Sequence, residues 1–222
     1  MHWRLSETLK NKISLPNFSD LRSSYLILLR SRKFVGYTLI YGFQQGAFFT
    51  FLAVGAAFFE IHYGMGSKAF GLIWGALALA YVGGATIGGK MTPRVGAEQV
   101  MRISLTLALI IGVWLIYIAM LKTPTAAQIL APLILMMLTS GSATPGAMAG
   151  AVRYHPEAAG TASGLSSSLG LTIGGSFTII SGAVYSENFI SIALLMFFAC
   201  IGGMICWCLV ASPPIIDSAE QS

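Results

Sequence analysis

Six stretches of this sequence contain no Asp, Glu, Lys, Arg or His, and each is long enough to cross a lipid bilayer. They are 34–59, 69–89, 103–121, 126–152, 158–186 and 188–216. A helix needs about 17 to 25 residues to cross about 30 Å of hydrocarbon, because it rises about 1.5 Å per residue. We therefore predict an all-α integral membrane protein with six transmembrane helices. The predicted spans are roughly 35–57, 70–89, 103–121, 127–148, 160–184 and 189–210.

The composition argues against a soluble fold. Charged residues make up 9% of the 222 residues and hydrophobic residues 55%, whereas a soluble domain carries about 25% charged residues. A soluble helical bundle also needs a charged or polar face on each helix, and these six stretches offer no charged face. The lipid bilayer is therefore the predicted solvent of this chain.

The basic residues are divided unequally between the two sides of the predicted membrane. The side that carries the N-terminal segment holds 11 of the 13 Lys and Arg residues, and the other side holds only Lys68 and Lys122. The positive-inside rule then predicts that both termini are cytoplasmic. The net charge of +5 accordingly reflects membrane topology, and we expect no nucleic-acid partner.

The predicted organisation has three parts. Residues 1–33 form a cytoplasmic basic segment, 34–212 the six-helix bundle, and 213–222 a cytoplasmic tail. The basic segment has no long apolar core near Met1, so it does not read as a secretory signal peptide. Apolar residues at helical spacing within 21–29 predict a short helix on the inner membrane surface.

One face of the first span carries aromatic side chains and an amide. This stripe repeats at steps of three and four residues and consists of Phe34, Tyr37, Tyr41, Gln44, Phe48 and Phe51. A glutamine facing lipid near mid-membrane would be costly, so we predict that the stripe lines a cavity for an aromatic or amphipathic organic molecule. The predicted contact residues are Tyr37, Tyr41, Gln44 and Phe48. The alternative is a lipid-facing aromatic surface with Gln44 bonded to a neighbouring helix.

Pairs of small residues recur through the spans at a spacing of four. The glycine pairs are Gly42/Gly46, Gly71/Gly75, Gly84/Gly88, Gly160/Gly164 and Gly170/Gly174. Lipid provides no hydrophobic drive between helices, so close backbone approach at small residues supplies much of the packing. The pairs predict a compact bundle of closely crossing helices, with the Gly42/Gly46 face of the first span opposite its aromatic stripe.

The fifth span is rich in hydroxyl side chains, and the fourth contains Pro145. Ser and Thr in a membrane helix can bond back to the carbonyls of their own helix, and we expect this in the fifth span. Pro145 should kink the fourth span and free a carbonyl. Such a kink beside small residues predicts a gating or bending point, with plain packing as the alternative.

The spans lack the groups that membrane-embedded catalysis needs. None contains a carboxylate or histidine, from which intramembrane proton relays are built, and the serines at 166–168 have no base at membrane depth. We therefore predict no enzyme activity, no cofactor and no metal, and proton coupling cannot be centred in these spans. Cys200, Cys206 and Cys208 are interpreted as small apolar filler rather than as a metal or redox site.

The stretch "RYHPE" at 153–157 groups an arginine, a histidine and a glutamate within five positions. It falls between the fourth and fifth spans on the predicted cytoplasmic side. We interpret it as a bend in which Pro156 helps to restart a helix. His155 and Glu157 are expected to be solvated there rather than to form an acid–base site.

The runs "TPGAMAG" and "PEAAGTASGL" resemble a known transporter family. They are similar to the Pro-Asn-x-x-Ala and Pro-x-x-Ala-Gly-x-Ala-Ser-x-Leu runs of spans 10 and 11 in the Bcr/CflA drug-resistance branch of the major facilitator superfamily. The matching positions are Pro145, Pro156, Ala159, Gly160, Ala162, Ser163 and Leu165. The asparagine of the first run is Gly146 in this chain, so its side-chain role is absent.

The connection "GGKMTPRVG" resembles the second copy of the superfamily's cytoplasmic motif, Gly-x-x-x-Asp-Arg-x-Gly, between spans 8 and 9. Gly89, Arg94 and Gly96 match, and Pro93 stands at the acidic position. Arg94 either pairs with a helix end or an anionic lipid, or serves only as a positive-inside arginine. The motif or gating positions that the resemblance implies are Gly89, Arg94, Gly96, Pro145, Gly160 and Ser163.

The resemblance covers essentially the whole chain, but only spans 7–12 of a usual twelve-span protein. It implies the C-terminal half of a proton-coupled multidrug exporter of the bacterial inner membrane, working by alternating access between two six-helix bundles. The implied partners are a small organic drug-like substrate, membrane lipid and a missing N-terminal six-helix half that carries the proton-coupling acids. The alternative is a non-transporting remnant or scaffold half of a truncated gene, inactive alone.

Overall fold

The computed structural model describes residues 18–211, which contain seven α-helices. Their bounds are α1 Phe18–Arg30, α2 Arg32–Tyr63, α3 Ser67–Val95, α4 Ala97–Ala119, α5 Ala126–Arg153, α6 Ala159–Val184 and α7 Phe189–Ala211. One turn of 3₁₀ helix, Pro156–Ala158, precedes α6. The six helices from α2 to α7 are long and apolar enough to cross a membrane, which confirms the six predicted spans. The first 17 residues of the predicted basic segment and the predicted tail 213–222 lie outside the described residues.

The membrane helices extend beyond the charge-free stretches. α2 runs to Tyr63 and so includes Glu60 and His62, and it ends where Gly64 adopts a φ of +62°. Its 32 residues span about 48 Å at 1.5 Å per residue, more than the roughly 30 Å of the hydrocarbon. The charged residues at the helix ends therefore lie at the level of the lipid headgroups.

The predicted spans 70–89 and 103–121 leave residues 90–102 as a connection, but all of these residues except Gly96 are helical. α3 continues through Pro93 to Val95, and α4 begins at Ala97, so Gly96 alone joins the two helices. Pro93 is tolerated because it lies in the last turn, where only one helical hydrogen bond is lost. Gly96 ends α3 with a φ of +87° and an N–H bond to the Thr92 carbonyl, a conformation readily available only to glycine.

Four helices form a ring and the other two membrane helices attach to its outside. α2 packs on α5 and α7, and α4 packs on α5 and α7, which closes the ring. α3 packs almost entirely on α5, and α6 mainly on α2. The most apolar stretch of α3 is 11% buried and that of α6 is 22% buried, against 44–50% for the other four membrane helices. α3 and α6 therefore present broad open faces.

Glycines set the closest crossing in the bundle, between α3 and α5. A Cβ on Gly84 would collide with the carbonyl oxygen of Leu138, and one on Gly141 with the carbonyl oxygen of Tyr81. Gly88 meets the backbone of Ser142 in the same way. Backbone thus packs on backbone without intervening side chains, which confirms the predicted role of this glycine pair.

The other glycine pairs divide between packed and open faces. Gly42 and Gly46 of α2 lie against Ile173 and Phe177 of α6, as the sequence predicts. The pair on the later part of α6 also packs against α2 side chains. For the two remaining pairs, Gly71/Gly75 and Gly160/Gly164, an added Cβ would meet no described atom within 4 Å. These two pairs lie on the open faces of α3 and α6.

The hydroxyl groups of α6 mostly bond within their own helix, as expected. Ser168, Thr172 and Ser176 each donate to the carbonyl four residues earlier. Two others reach α2 instead: Ser166 accepts from the Thr38 hydroxyl at 3.1 Å, and Ser181 donates to the Thr50 carbonyl at 3.0 Å. Hydrogen bonds of this kind between membrane helices contribute about 0.6 kcal/mol each, so they add to the glycine packing rather than replace it.

In the bend after α5, one side-chain atom of His155 is not solvated as predicted. Nε2 of His155 is buried and has no hydrogen-bond partner among residues 18–211, so the predicted solvation of His155 is wrong there. The following 3₁₀ turn folds the chain back, and the Ala158 N–H donates to the His155 carbonyl. Glu157 is exposed, as expected.

Candidate functional site

A cavity of about 400 Å³ opens between α2 and α3, with α5 as its floor. It exists because α2 and α3 both pack on α5 but barely touch each other. Its lining consists of Gln44, Gln45 and Phe48 from α2, Trp74, Leu77, Ala78, Tyr81 and Val82 from α3, and Ser140 from α5. This volume falls in the range of small-molecule sites in proteins.

Aromatic rings form one wall of the cavity. The Phe48 and Trp74 ring centroids are 5.2 Å apart with an interplanar angle of 65°, an edge-to-face arrangement that stabilises aromatic pairs. The centroids of the Phe51 and Phe70 rings lie 6.2 and 6.3 Å from that of Trp74. The indole is therefore held by three neighbouring rings, which leaves an ordered apolar surface for a planar ligand.

Gln44 supplies a fixed amide to the wall. It is 9% exposed, and the Thr144 hydroxyl of α5 donates to its Oε1 over 2.7 Å. The same hydroxyl lies 2.8 Å from the Ser140 carbonyl, so its single proton is shared between two oxygens. The amide thus both lines the cavity and bonds to a neighbouring helix, and the two interpretations of Gln44 are compatible.

A second, enclosed space of about 20 Å³ lies behind Gln44. Gln44, Ser104, Thr139 and Ser140 contribute its polar lining, and the space is large enough for one water molecule. Ser104 is bonded to Ser142 at 2.6 Å between their oxygens. Polar side chains of α2, α4 and α5 therefore meet immediately behind the cavity wall.

The 400 Å³ cavity contains no charged side chain in its lining. Such a lining can offer a ligand ring stacking, dispersion and hydrogen bonds to an amide or a hydroxyl. Within residues 18–211, no three His, Cys, Asp or Glu side chains are grouped to hold a metal ion. The arrangement suits binding of an uncharged or weakly charged organic molecule.

The four predicted contact residues separate into two pairs. Gln44 and Phe48 line the cavity, whereas Tyr37 and Tyr41 lie deeper in the bundle, 3% and 8% exposed. The Tyr41 ring packs on Gly170 of α6. Glycine there lets α6 close over the ring, whereas the Gln44–Phe48 part of the stripe faces the gap between α2 and α3.

Tyr37 lines a separate cavity of about 200 Å³ near the ends of α4 and α5. Its ring packs on Gly150 and stacks on Tyr154 with centroids 6.3 Å apart. Glu98 and Arg153 contribute charged side chains to the same cavity. Tyr37 is therefore placed at a charged end of the bundle, away from the aromatic cavity.

None of the six motif or gating positions lines the aromatic cavity. Gly89, Arg94, Pro145 and Gly160 are exposed, Ser163 is half-buried, and Gly96 forms the joint between α3 and α4. α5 continues as a helix through Pro145. Their gating role stays a prediction.

Sequence reasoning missed the α3 side of the cavity. Trp74 and Tyr81 lie seven residues apart, and Leu77 and Ala78 fall between them on the same face. Two aromatic residues two turns apart, in a span otherwise rich in Gly and Ala, are the sequence signal of this wall.

Comparison with known proteins places this chain in a family. The model of the Major Facilitator Superfamily matches residues 3–179, which is well over half of the chain. The chain belongs to the major facilitator superfamily. The prediction made from "TPGAMAG", "PEAAGTASGL" and "GGKMTPRVG" is confirmed at this level, and the six helices from α2 to α7 agree with one half of a protein of this superfamily.

Curated members of the superfamily are similar over most of this chain. The uncharacterized MFS-type transporter YdgK of Bacillus subtilis is 25% identical over 205 residues, which is 91% of this chain and 50% of that protein. The bicyclomycin resistance protein homolog of Haemophilus influenzae is 25% identical over 174 residues, 77% of this chain and 43% of its own length. The chloramphenicol resistance protein of Pseudomonas aeruginosa is 26% identical over 166 residues, 75% and 40% respectively.

These comparisons also give the extent of the chain within the superfamily. The chain spans about half the length of the curated relatives it matches, or somewhat less. No solved structure matches it significantly. The superfamily consists of transporters rather than enzymes, in line with the absence of catalytic groups from the predicted spans.

Proposed function

We propose that this chain is one six-helix half of a drug exporter of the bacterial inner membrane, which exchanges small organic compounds for protons by alternating access. The aromatic cavity between α2 and α3 carries this proposal. It offers stacking surfaces at Phe48 and Trp74, an amide at Gln44, and no charged side chain in its lining. A planar, uncharged or weakly charged compound is the ligand class that such a wall stabilises.

The names of two relatives support a drug as the transported compound. One is named for bicyclomycin resistance and another for chloramphenicol resistance. In this proposal, Gln44 and Phe48 contact the drug together with Trp74 and Tyr81. Tyr37 and Tyr41 support the helix that carries the first two residues.

The second six-helix half is proposed to dock on the open faces of α3 and α6. A stripe on α6 has only small side chains along its exposed edge, namely Gly160, Gly164, Ser168, Thr172 and Ser176. The outward faces of α4 and α7 expose large apolar side chains such as Ile110 and Phe198, and α3 exposes Leu72 and Leu79, so the small-residue stripe of α6 is what distinguishes the proposed docking face. Large apolar side chains suit lipid, whereas small residues suit close approach of another helix.

Proton coupling is assigned to that second half. The lining of the aromatic cavity has no carboxylate or histidine, and proton relays at membrane depth are built from such groups. Glu60, His62 and Glu98 lie at helix ends. This half supplies part of the substrate wall and the partner half supplies the proton-carrying acids.

Drug-resistance assays test the proposal directly. Cells that express this chain with an N-terminal six-helix half from a relative should tolerate higher drug concentrations than cells with either half alone. Expression of each half is measured in the membrane fraction, so that a missing protein is not read as a missing activity.

The outcomes separate the proposal from its alternative. Resistance from this chain alone would contradict the half-transporter proposal. Absence of resistance in the paired cells, with both halves present and associated, would favour a non-transporting remnant or scaffold. Drug efflux that continues after the proton gradient is collapsed would contradict only the proton-coupling part of the proposal. The half-transporter part would stand.

A further inference from the structure

A second groove lies at the opposite edge of the bundle from the aromatic cavity, where α1, α2 and α7 meet. Its volume is about 260 Å³. Leu29, Val35, Leu39, Cys206, Leu209 and Val210 form its apolar walls, with Gly36 between them. Gly36 lets α7 approach closely, because a Cβ there would collide with the Val210 side chain. The groove is apolar inside and opens beside the ends of two membrane helices.

Two arginines form one rim of this groove. Arg30 ends α1 and Arg32 begins α2, and both are exposed. The neighbouring Lys33 already has partners within the protein. Its Nζ donates to the Val210 carbonyl at 2.5 Å and lies 5.9 Å from the Tyr154 ring centroid. Within residues 18–211 neither arginine has a recorded ion pair. Both arginines line the groove, so their guanidinium groups are available to a phosphate, which guanidinium binds with planar pairs of donors.

The surroundings of the groove place it at the lipid headgroup level. α1 buries Leu28 in the bundle, with 1% exposed, but exposes Leu26, Ile27 and Leu29 to 47%, 60% and 49%. A helix with basic residues and an open apolar face lies in the membrane interface. This end of the bundle carries eight of the ten Lys and Arg residues within 18–211, the charge pattern of the cytoplasmic side, where anionic lipids are concentrated.

We propose that the groove between α1, α2 and α7 binds one anionic phospholipid. Its phosphate lies between Arg30 and Arg32, and an acyl chain lies along Leu39 and Leu209. The lipid would pin α1 to the bundle at the point where the basic segment enters the membrane. This site is independent of the drug cavity and of any partner half.

Lipid titration of the purified full chain in an uncharged detergent tests the site. Phosphatidylglycerol should bind roughly thirtyfold tighter than phosphatidylcholine with the same acyl chains, from about 1 kcal/mol for each of the two arginines near the surface. The double variant Arg30→Gln with Arg32→Gln should bring this ratio close to one. Arg22→Gln is the matched control and should leave the ratio unchanged, because Arg22 lies on α1 with Arg30 but outside the groove.

The apolar part of the site is tested by filling it. Leu209→Trp should weaken binding of both lipids several-fold, whereas Leu194→Trp, at an exposed position elsewhere on α7, should not. Glycerophosphate carries the phosphate without acyl chains and should compete poorly. Competition as strong as that of the lipid would identify a simple anion site and overturn the proposal.

Two further outcomes would also overturn it. If the arginine double variant kept its preference, or Arg22→Gln removed it equally, the preference would come from the overall surface charge. If deletion of residues 212–222 raised lipid affinity several-fold, the groove would belong to that segment rather than to a lipid. Unchanged affinity after the deletion supports the lipid.

Discussion

The Thr144 hydroxyl of α5 lies 2.7 Å from the Gln44 amide oxygen of α2. This hydrogen bond joins the helix that carries the polar group of the cavity to the helix that forms the cavity floor. It also satisfies a polar atom that would be costly to leave unpaired at membrane depth. The orientation of the Gln44 amide towards a ligand therefore depends on a residue that does not itself line the cavity.

Thr144→Val should alter drug recognition more than stability. The variant keeps the shape of the side chain but removes the hydroxyl, so the Gln44 amide is free to rotate. Loss of one such bond costs about 0.6 kcal/mol, while the pattern of drug susceptibility in the two-half assembly should shift. Thr144→Ser should retain the original pattern.

Susceptibility to a panel of drugs and thermal unfolding in detergent measure the two effects. Thr106→Val is the matched control, because the exposed Thr106 hydroxyl on α4 donates to the Arg102 carbonyl of its own helix and lies away from the cavity and the proposed docking faces. A Thr144→Val profile identical to that of the control would contradict a positioning role for Thr144.

Trp74→Ala should reduce resistance to planar aromatic drugs in the two-half assembly. The substitution removes the ring that packs on Phe48 and widens the cavity. Aromatic ring pairs contribute about 0.5–1.5 kcal/mol, so we expect a several-fold fall in the tolerated drug concentration. Minimum inhibitory concentrations measure the effect.

Trp114→Ala is the control for this substitution. Trp114 is 39% exposed on α4 and lies outside the lining of the cavity. Equal losses of resistance in the two tryptophan variants would point to a general packing defect and against a drug-contacting wall.

Gly84→Ala should destabilise the bundle. The added methyl group would collide with the Leu138 carbonyl oxygen at the α3–α5 crossing, and overpacking of this kind costs about 1–3 kcal/mol. Gly83→Ala, one position away, meets no described atom within 4 Å and should be neutral. Thermal unfolding of the two variants in the same detergent distinguishes them, and equal stability would contradict the close crossing.

Labelling from outside the cell tests the predicted orientation. With the native cysteines replaced by alanine, Lys122→Cys should react with a membrane-impermeant maleimide in intact cells, whereas Glu157→Cys should react only after the cells are opened. This follows from the excess of basic residues at the end that contains Glu157. The reverse labelling pattern would show that the basic end faces outward.

The number and approximate position of the membrane helices could be predicted because charge is excluded from hydrocarbon over long distances. The helix ends could not, since Glu60, His62 and Arg94 are polar residues that a helix accommodates once it enters the headgroup layer. Charge marks the edge of the hydrocarbon, and the helix continues beyond it. For this reason the residues between 90 and 102, which the span prediction leaves as a connection, are helical except for Gly96.

Periodicity identified the aromatic stripe of α2 but not its neighbours. Whether a stripe residue is buried depends on what faces it, and Gly150 and Gly170 close over Tyr37 and Tyr41 from other helices. Such contacts join positions more than 100 residues apart. To predict the cavity at Gln44, one must also know that α3 packs on α5. The glycine pattern alone does not specify this pairing of helices.

Gly96→Ala should lower stability through the backbone. Its φ of +87° is strained for any residue with a Cβ, at a cost of about 1–3 kcal/mol. Gly66→Ala, where φ is −67° and no described atom lies within 4 Å of an added Cβ, is the control and should be nearly neutral. A lower unfolding temperature in both variants to the same extent would contradict a special role for Gly96.

The single residue between α3 and α4 has a mechanical consequence. A joint of one residue has little slack, so sliding of α3 along its axis at this end would displace α4. Trp74 lies on α3, and α4 packs on α5 and α7 at the far side of the ring. A sliding movement of α3 that changed the width of the aromatic cavity would therefore also move α4, through one glycine.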